Sequence, residues 1–461
     1  MASTSASLAF GIDIKPGELE GLINNKTIGS GSVVLTGAID ARDLAAIENL
    51  PSDIVNLDLK DIRIQQLTLS TRKYFGKTLF AEGELPSYTF FKSGLETLLL
   101  PTSVKTIGEG AFSASSLKSL EIPEGVTKLG DYAFYGCEDL ESVTLPSTLK
   151  ELGKGVFGNC HQLKYVNFSS GCSISELPEK TFAGCVVLES VNLPATITKV
   201  GREAFTHTMI RELNLDGVTE FEDFALSGMP YLQILNINPQ VAEVTGLLMD
   251  DISLVSLTGV PENLPDYFAA NCTKLPTNDI VSGISTIGKY ALANQEASNF
   301  VILGTGIVSL DRGAFSGNTL IAIDVTALHS EVPAVTSDTF EGISQKDVDL
   351  IVNDGDEGAW EADPVWRLFN IKTASATVVG PGAQDTTEGV TIRLLDDYLM
   401  VESGNPIVDI RIFSTDGKLL LSKSPNDNIV SIPTSDLASG VVVVKAVNEN
   451  KQSKSATVML K

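Results

Sequence analysis

Histidine is nearly absent from this sequence, with His161, His207 and His329 alone among 461 residues. None stands at metal-ligand spacing from another, and no C-x-x-C pair occurs, which removes zinc sites and dithiol redox motifs from consideration. No G-x-S-x-G elbow is present. Gly76-Lys77-Thr78 ends like a phosphate loop, but Thr71 stands where its first glycine belongs, and Gly304-x-Gly306 lacks a third glycine. The chain therefore offers no catalytic residue, no cofactor site and no metal site, and it reads as a non-enzyme.

Basic residues are also scarce: 33 Lys and Arg face 58 Asp and Glu, a net charge of -25. Such a surface repels phosphate backbones and anionic lipid, so nucleic acid is excluded as a partner. The longest apolar candidate, Val441–Val444, falls far short of the ~18 residues a spanning helix needs, so the chain is expected not to be transmembrane. The leader MASTSASLAF has neither a charged n-region nor a full apolar h-region. It reads as an expression start or as the stub left after a signal has been trimmed, and no signal peptide is expected in this chain.

What the sequence has instead is repetition. From Leu95 it runs LETLLLPTSVKTIGEGAFSASS, LKSLEIPEGVTKLGDYAFYGCED, LESVTLPSTLKELGKGVFGNCHQ, LKYVNFSSGCSISELPEKTFAGCVV and LESVNLPATITKVGREAFTHT. A period of about 20 to 25 residues is the mark of a solenoid, in which each coil buries its apolar face only against its neighbours. In LKSLEIP, Leu117, Leu120 and Ile122 point inward while Ser119 and Glu121 point outward, and Pro123 ends the strand. Leu129 re-enters the core, Gly130 permits a tight turn, and Ala133 and Phe134 fill the space between coils. The Phe position can be followed through Phe90, Phe112, Phe134, Phe157, Phe182, Phe205, Leu226, Met249, Ala269, Leu292, Phe315 and Phe340, about twelve units. Cys137, Cys160, Cys185 and Cys272 lie three residues after it, and Cys172 stands apart. This regularity favours buried, inert thiols over a disulfide or a metal ladder.

Residues 1–53 read as a small α/β cap, with a helix over ELEGLINNK, a strand over Ser32–Ile39 and a helix after the N-cap Asp40. The repeats occupy 54–373, with an insertion through Glu84 in the first and a C-terminal cap carrying Trp360 and Trp366. Residues 374–461 open on a Gly/Pro/Thr-rich linker and continue as short alternating strands, with a hairpin turn at Asp416-Gly417, an all-β sandwich.

The consensus L-x-x-L-x-(L/I)-P…I-G-x-x-A-F-x-G-C resembles the BspA-like subclass of leucine-rich repeats, over roughly residues 54 to 372. That resemblance implies a leucine-rich repeat solenoid with parallel strands, and a secreted or outer-membrane-associated surface protein of the Bacteroidota type. Members are adhesins and binding proteins, and the founding type attaches to host matrix proteins and to other bacteria. In the tail, I-F-S-x-D-G-K followed by I-P-x-S-x-L-A-S-G-V-V-V-V-K resembles the sorting domain of type IX secretion substrates, although Val441–Val443 stand where that family carries an aromatic. The residues alone leave open a sorting module and a plain structural sandwich.

The positions that the repeat leaves free are the outward ones of each strand: Thr97 and Leu99, Ser119 and Glu121, Ser142 and Thr144, Tyr165 and Asn167, Ser190 and Asn192, Glu212 and Asn214, Ile234 and Asn236, Ser256 and Thr258. In parallel strands ~4.8 Å apart these align in columns, so Asn167, Asn192, Asn214 and Asn236 are expected to form a continuous stripe beside Tyr165 and Ile234. Two readings follow. One is an amide ladder that only stabilises the sheet. The other is a binding face for a protein or glycoprotein partner. The acidic run Asn353–Glu357 lacks calcium-loop spacing and reads as a solvated turn. Oligomeric state is not legible.

Overall fold

The computed structural model describes residues 10–461 except 242–243, 276, 282, 296–299, 375–377, 380–383, 388–389, 395–397, 415–417, 435–436, 438–439, 451–452 and 461. The Asp416-Gly417 turn and most of the expected linker lie outside the described residues. The chain is a parallel-strand solenoid of about 15 turns followed by an antiparallel half-barrel sheet. It divides into two compact units, Met1–Pro261 with Tyr267–Cys272, and Glu262–Asp266 with Thr273–Lys461.

In the first unit the N-terminal block is part of the solenoid sheet. Strand β1 (Phe10–Ile14) pairs in parallel with β2 (Gly31–Ile39), which pairs in parallel with β3 (Ile54–Asp58). Helices α1 (Leu19–Asn24) and α2 (Ala41–Ala46) are the returns of these first coils. Asp40 caps α2: its side chain accepts from Arg42 N at 2.9 Å, and Asp43 accepts back from Asp40 N at 3.0 Å. Asp43 also takes Gly17 N and Leu19 N, which ties the first helix to the second.

Most later coils carry an outward strand and, on another side, a two-residue strand. The outward strands form parallel sheets of Ser119–Glu121, Ser142–Leu145 and Tyr165–Phe168, and of Glu212–Leu215, Ile234–Ile237 and Ser256–Thr258. The short strands pair likewise, as in Lys128–Leu129 with Thr106–Ile107. Gly130 serves close approach rather than a turn: a Cβ there would lie 2.5 Å from the Glu109 nitrogen of the preceding coil.

Between coils, Phe90, Phe112, Phe134, Phe157, Phe182 and Phe205 stack face to face, with centroids 5.4, 4.9, 5.5, 5.7 and 5.6 Å apart. Every one of these rings is buried. The column continues at Leu226 and then Leu248; Met249, expected from spacing, is only half-buried. The reason is that Gly246, at φ 62, takes the left-handed position two residues before the column residue, as Gly110 does before Phe112. Near Ala269 the volumes are exchanged: Phe268 fills the neighbouring slot that alanine takes elsewhere, and both are fully buried.

The thiols form a second column. All five cysteines are free and buried. Cys137, Cys160, Cys185 and Cys272 each donate to the carbonyl of the column residue one coil back, at 3.0 Å to Phe112, 3.0 Å to Phe134, 3.1 Å to Phe157 and 2.9 Å to Leu248. Burial pushes Cys185 up to about 12 and raises Cys160 and Cys272 well above the usual thiol range, so these thiols stay protonated donors.

In the second unit the repeat strands Phe300–Ile302, Ala322–Asp324, Asp349–Val352 and Asn370–Thr373 form a parallel sheet. Trp360 and Trp366 are fully buried, edge to face at 5.2 Å, and donate their indole N–H groups to His329 O and Pro333 O at 3.1 Å each. The tail is a single sheet rather than two separate layers. Its long strand Tyr398–Ser414 pairs with Asp427–Pro433 and Val390–Leu394 through its first half, and with Gly440–Asn448 and Leu419–Lys423 through its second. The two halves enclose a core that includes Ile392, Val401, Ile410, Ile412, Val444 and Val458.

Two stability tests follow. Phe157→Ala removes a ring stacked on both sides and should cost about 3–5 kcal/mol in denaturant unfolding. A loss below about 1 kcal/mol would show that the stack does not hold the coils. The second test concerns Asp251, which occupies the thiol column fully buried. It accepts from Met229 N at 2.7 Å, while its other oxygen has no partner among the described residues. Burial raises its carboxyl well above the usual range. The native state therefore holds a proton that the unfolded chain loses above about pH 4, and stability falls as pH rises through that window. At the same repeat position Asn318 accepts from Gln295 N at 2.7 Å and donates to Leu292 O at 3.0 Å. Asp251→Asn can make both bonds, and should add about 1–3 kcal/mol at pH 7 with the gain fading toward pH 4. Equal melting temperatures across pH 4–7 would refute this account.

Candidate functional site

Strand alternation turns the outward positions away from the core, and the structure places all of them on that face. Thr97, Leu99, Ser119, Glu121, Tyr165, Asn167, Ser190, Asn192, Glu212, Asn214, Ile234 and Thr258 are exposed; Ser142, Thr144, Asn236 and Ser256 are half-buried. The register puts Ser142 beside Tyr165 and Thr144 beside Asn167, and further along Glu212 beside Ile234 and Asn214 beside Asn236.

Part of this face is satisfied by itself. Asn236 donates to Asn214 at 2.8 Å and accepts from Thr258 at 2.8 Å, a relay along three strands. A second relay runs from Thr97 to Asn56 and from Asn56 to Ser32. Among the described residues the side chains of Asn167 and Asn192 have no hydrogen-bond partner.

The expected continuous stripe is broken at Asn192. No strand forms over residues 188–195, so the outward sheet stops at Tyr165–Phe168 and restarts at Glu212–Leu215. Val191, whose equivalents Val166 and Leu213 are buried, is only half-buried here, and so is Leu193, whose equivalent Leu215 is buried. The break follows the coil from Phe157 to Phe182, which carries extra residues in the turn Ser169–Cys172. Beside it opens a cleft of about 480 Å³ lined by Val191, Asn192, Leu193, Glu212, Leu213, Asn214, Ile234 and Asn236. Tyr165, 62% exposed, on the strand before the break, and Ile234, 45% exposed, on the second strand after it, are large uncovered side chains. No sequence signal marks it, because L-x-x-V-x-L over Leu188–Leu193 matches the repeat.

In the second unit the same face is covered. Ala322 and Ile351, outward on their strands, pack with Ile302 against Phe413 and Val443 of the tail sheet. Lys445, on the same side of its strand as Val443, is pushed down to about 8, mainly by burial, with Arg411 adding repulsion and Asp409 opposing it. The short alternating strands expected of the tail did not include this contact. Its signal is an unbroken apolar run where a one-sided strand would alternate.

The acidic run Asn353–Glu357 forms the turn into the helix Glu357–Ala362. Asn353 donates to Thr326 O at 2.7 Å, Asp356 accepts from Ser330 at 2.7 Å, and Glu357 accepts from Gly355 N at 2.7 Å. Among the described residues no three His, Cys, Asp or Glu side chains converge as a metal site. Among them, too, no helix is long and apolar enough to cross a membrane.

A family model described as BspA type leucine rich repeat region (6 copies) matches residues 83–211, 172–264, 204–322 and 247–351, together more than half of the chain. The chain belongs to the BspA-type leucine-rich repeat family. A second model, the secretion system C-terminal sorting domain, matches residues 395–461. No curated protein matches the chain. Among solved structures, this BspA-type chain is similar to a leucine-rich repeat protein from Bacteroides ovatus, with TM-score 0.55, 20% identity, and 78% of this chain and 87% of that chain covered. A T. pallidum leucine rich repeat protein matches at 25% identity over 34% of this chain and 78% of its own, with TM-score 0.32. A leucine-rich repeat protein from Eubacterium ventriosum matches at 16% over 72% and 88%, with TM-score 0.40. The first of these supports the fold. The BspA-type repeats and the sorting tail make this a surface repeat protein, secreted or displayed at the outer surface.

The break is directly measurable. Backbone amides of residues 190–193 should exchange with deuterium at least about tenfold faster than those of Tyr165–Phe168 and Glu212–Leu215. Equal protection would mean that the sheet is continuous.

Proposed function

We propose that this BspA-type protein is a non-catalytic, adhesin-like binding protein that recognises a protein or glycoprotein partner through the outward strand face of residues 97–258. In this reading residues 54–373 carry recognition, 1–53 close the repeat stack and 374–461 direct export or attachment. The observation that supports it is the cleft at the strand break, where half-buried Val191 and Leu193 lie beside Glu212 and exposed Ile234. Anchoring by a few large side chains around an apolar depression is how protein interfaces concentrate their affinity. Unpartnered amides such as Asn192 supply orientation.

A structural spacer is the second reading. The Asn214–Asn236–Thr258 relay favours it, because those groups satisfy one another without a ligand.

The two readings part on one variant. Tyr165→Ala, Asn192→Ala and Glu212→Ala together should weaken solid-phase capture of matrix proteins, mucin or intact cells by at least about thirtyfold, with the melting temperature unchanged. Capture that survives the triple variant would exclude this face, and absence of capture by the native chain would favour the spacer.

A further inference from the structure

The insertion in the first repeat builds a second cleft, away from the outward strand face. Residues 65–83 fold out as a hairpin, Leu67–Thr68 against Leu79–Phe80, with Tyr74 and Lys77 bridged near its tip. The tip leans on α2 and leaves a cleft of about 300 Å³, whose walls include Tyr74, Phe75, Tyr88, Glu20, Glu48 and Arg42. Phe75 meets Phe80 edge to face at 6.0 Å, and Lys73, itself part of the lining, sits 4.8 Å over the Tyr74 ring. The size suits one or two sugar rings or a comparable small ligand.

The lining is polar in a particular way. The lining carries Glu20, Glu48, Arg42 and Lys73, with Arg42 already paired to Asp40 at 2.6 Å, on a chain of net charge -25. Glu20 and Glu48 provide carboxylate acceptors and Lys73 a cationic donor, a lining that does not attract a polyanion. Asn49 adds an amide that both donates and accepts. Neutral hydroxyl groups need this mixture, and the apolar C–H face of a pyranose needs an aromatic ring to lie on.

Aromatic rings also continue past the cleft along the turns of the next coils. Tyr88 and Phe91 stand edge to face at 5.9 Å, and two coils further Tyr132 and Tyr135 repeat the arrangement at 5.7 Å. All four are between 41% and 50% exposed. Tyr88 and Tyr132 hold the left-handed conformation, at φ 62 and 57, at the turn position two residues before the column residue that Gly110 and Gly246 also occupy. Each lies over a glycine of the following coil: a Cβ on Gly110 would be 2.4 Å from Tyr88, and one on Gly155 would be 2.7 Å from Tyr132. Tyr88 donates to Glu109, and Asn159 donates to the Tyr135 hydroxyl at 2.8 Å. The same ring-over-glycine packing recurs at Phe224 over Gly246 and Tyr290 over Gly313, so it belongs to the coil, and what Tyr88 and Tyr132 offer a ligand is their exposed surface beside Phe91 and Tyr135.

We propose that the cleft between α2 and the Leu67–Phe80 hairpin binds a neutral hexose-based glycan, whose chain continues along the Tyr88–Phe91 and Tyr132–Tyr135 pairs. The pairs are two coils apart, about 10 Å at parallel-strand spacing, a separation that two successive sugar rings of an extended chain can bridge. This site is separate from the outward strand face and does not depend on it.

The test is affinity electrophoresis of the full chain through gels containing a soluble β-glucan, a mannan or a galactan, with polygalacturonate as the anionic control. At least one neutral polymer should retard the native protein, and polygalacturonate should not. Tyr74→Ala with Tyr88→Asn, which tolerates the left-handed backbone, should weaken retardation by at least about tenfold at unchanged melting temperature, while Tyr88→Phe should retain it. Should the double variant fold poorly, Tyr74→Ala alone, on the projecting hairpin, should still weaken retardation severalfold. The Tyr165, Asn192 and Glu212 variant should be retarded like the native chain, which separates this site from the protein-binding face. Retardation by no neutral polymer, by polygalacturonate alone, or undiminished in the Tyr74 variants would overturn the proposal.

Discussion

The stacking of one coil on the next is the interaction on which the rest of this molecule depends. A single coil has too little interior to bury its leucines, so every apolar column is completed by a neighbour. The six-ring column from Phe90 to Phe205 shows this at its densest, with planes within 27° of parallel throughout. Parallel backbone pairing sets the coil spacing, and the rings and thiols fill that spacing. The cysteines add a second hydrogen bond to a carbonyl that already accepts a backbone N–H within its own turn. Their role is that of small, weakly donating core residues.

Because the interior is dictated by stacking, variation accumulates where the coil does not constrain it: on the outward strands, in the turns and in insertions. The same rule has different outcomes along the chain. Near Thr258 the outward polar groups pair with one another, near Asn192 the sheet opens, and near Ala322 and Ile351 the face is closed by Phe413 and Val443. Burial of Lys445 beside Arg411 makes that closure electrostatically unfavourable for the lysine, and packing of the apolar neighbours on the same strand offsets it.

Much of the architecture was legible because it follows local rules. The Asp40 cap, the inward leucines and the Phe column each depend on residues within one coil. Where a local rule failed, a backbone reason is visible. The column passes through Leu248 instead of Met249, since the left-handed turn residue Gly246, and not mean spacing, sets the register. Gly130 looked like a turn residue and proved to be a point of backbone contact between coils.

The sequence by itself determined the repeat, its hydrophobic interior, the inward thiols and the identity of the outward residues, because side-chain direction in a coil follows from alternation and needs no distant partner. Only the tertiary structure decided which outward residues meet. The loss of a strand over residues 188–195 and the cleft between the first insertion and α2 depend on how one coil meets the next, and the covering of Ala322 and Ile351 by the tail joins segments far apart in the chain. Periodicity reports which way a residue faces within its own coil. It carries no information on whether the neighbouring coil, or a distant strand, comes close enough to pair with it.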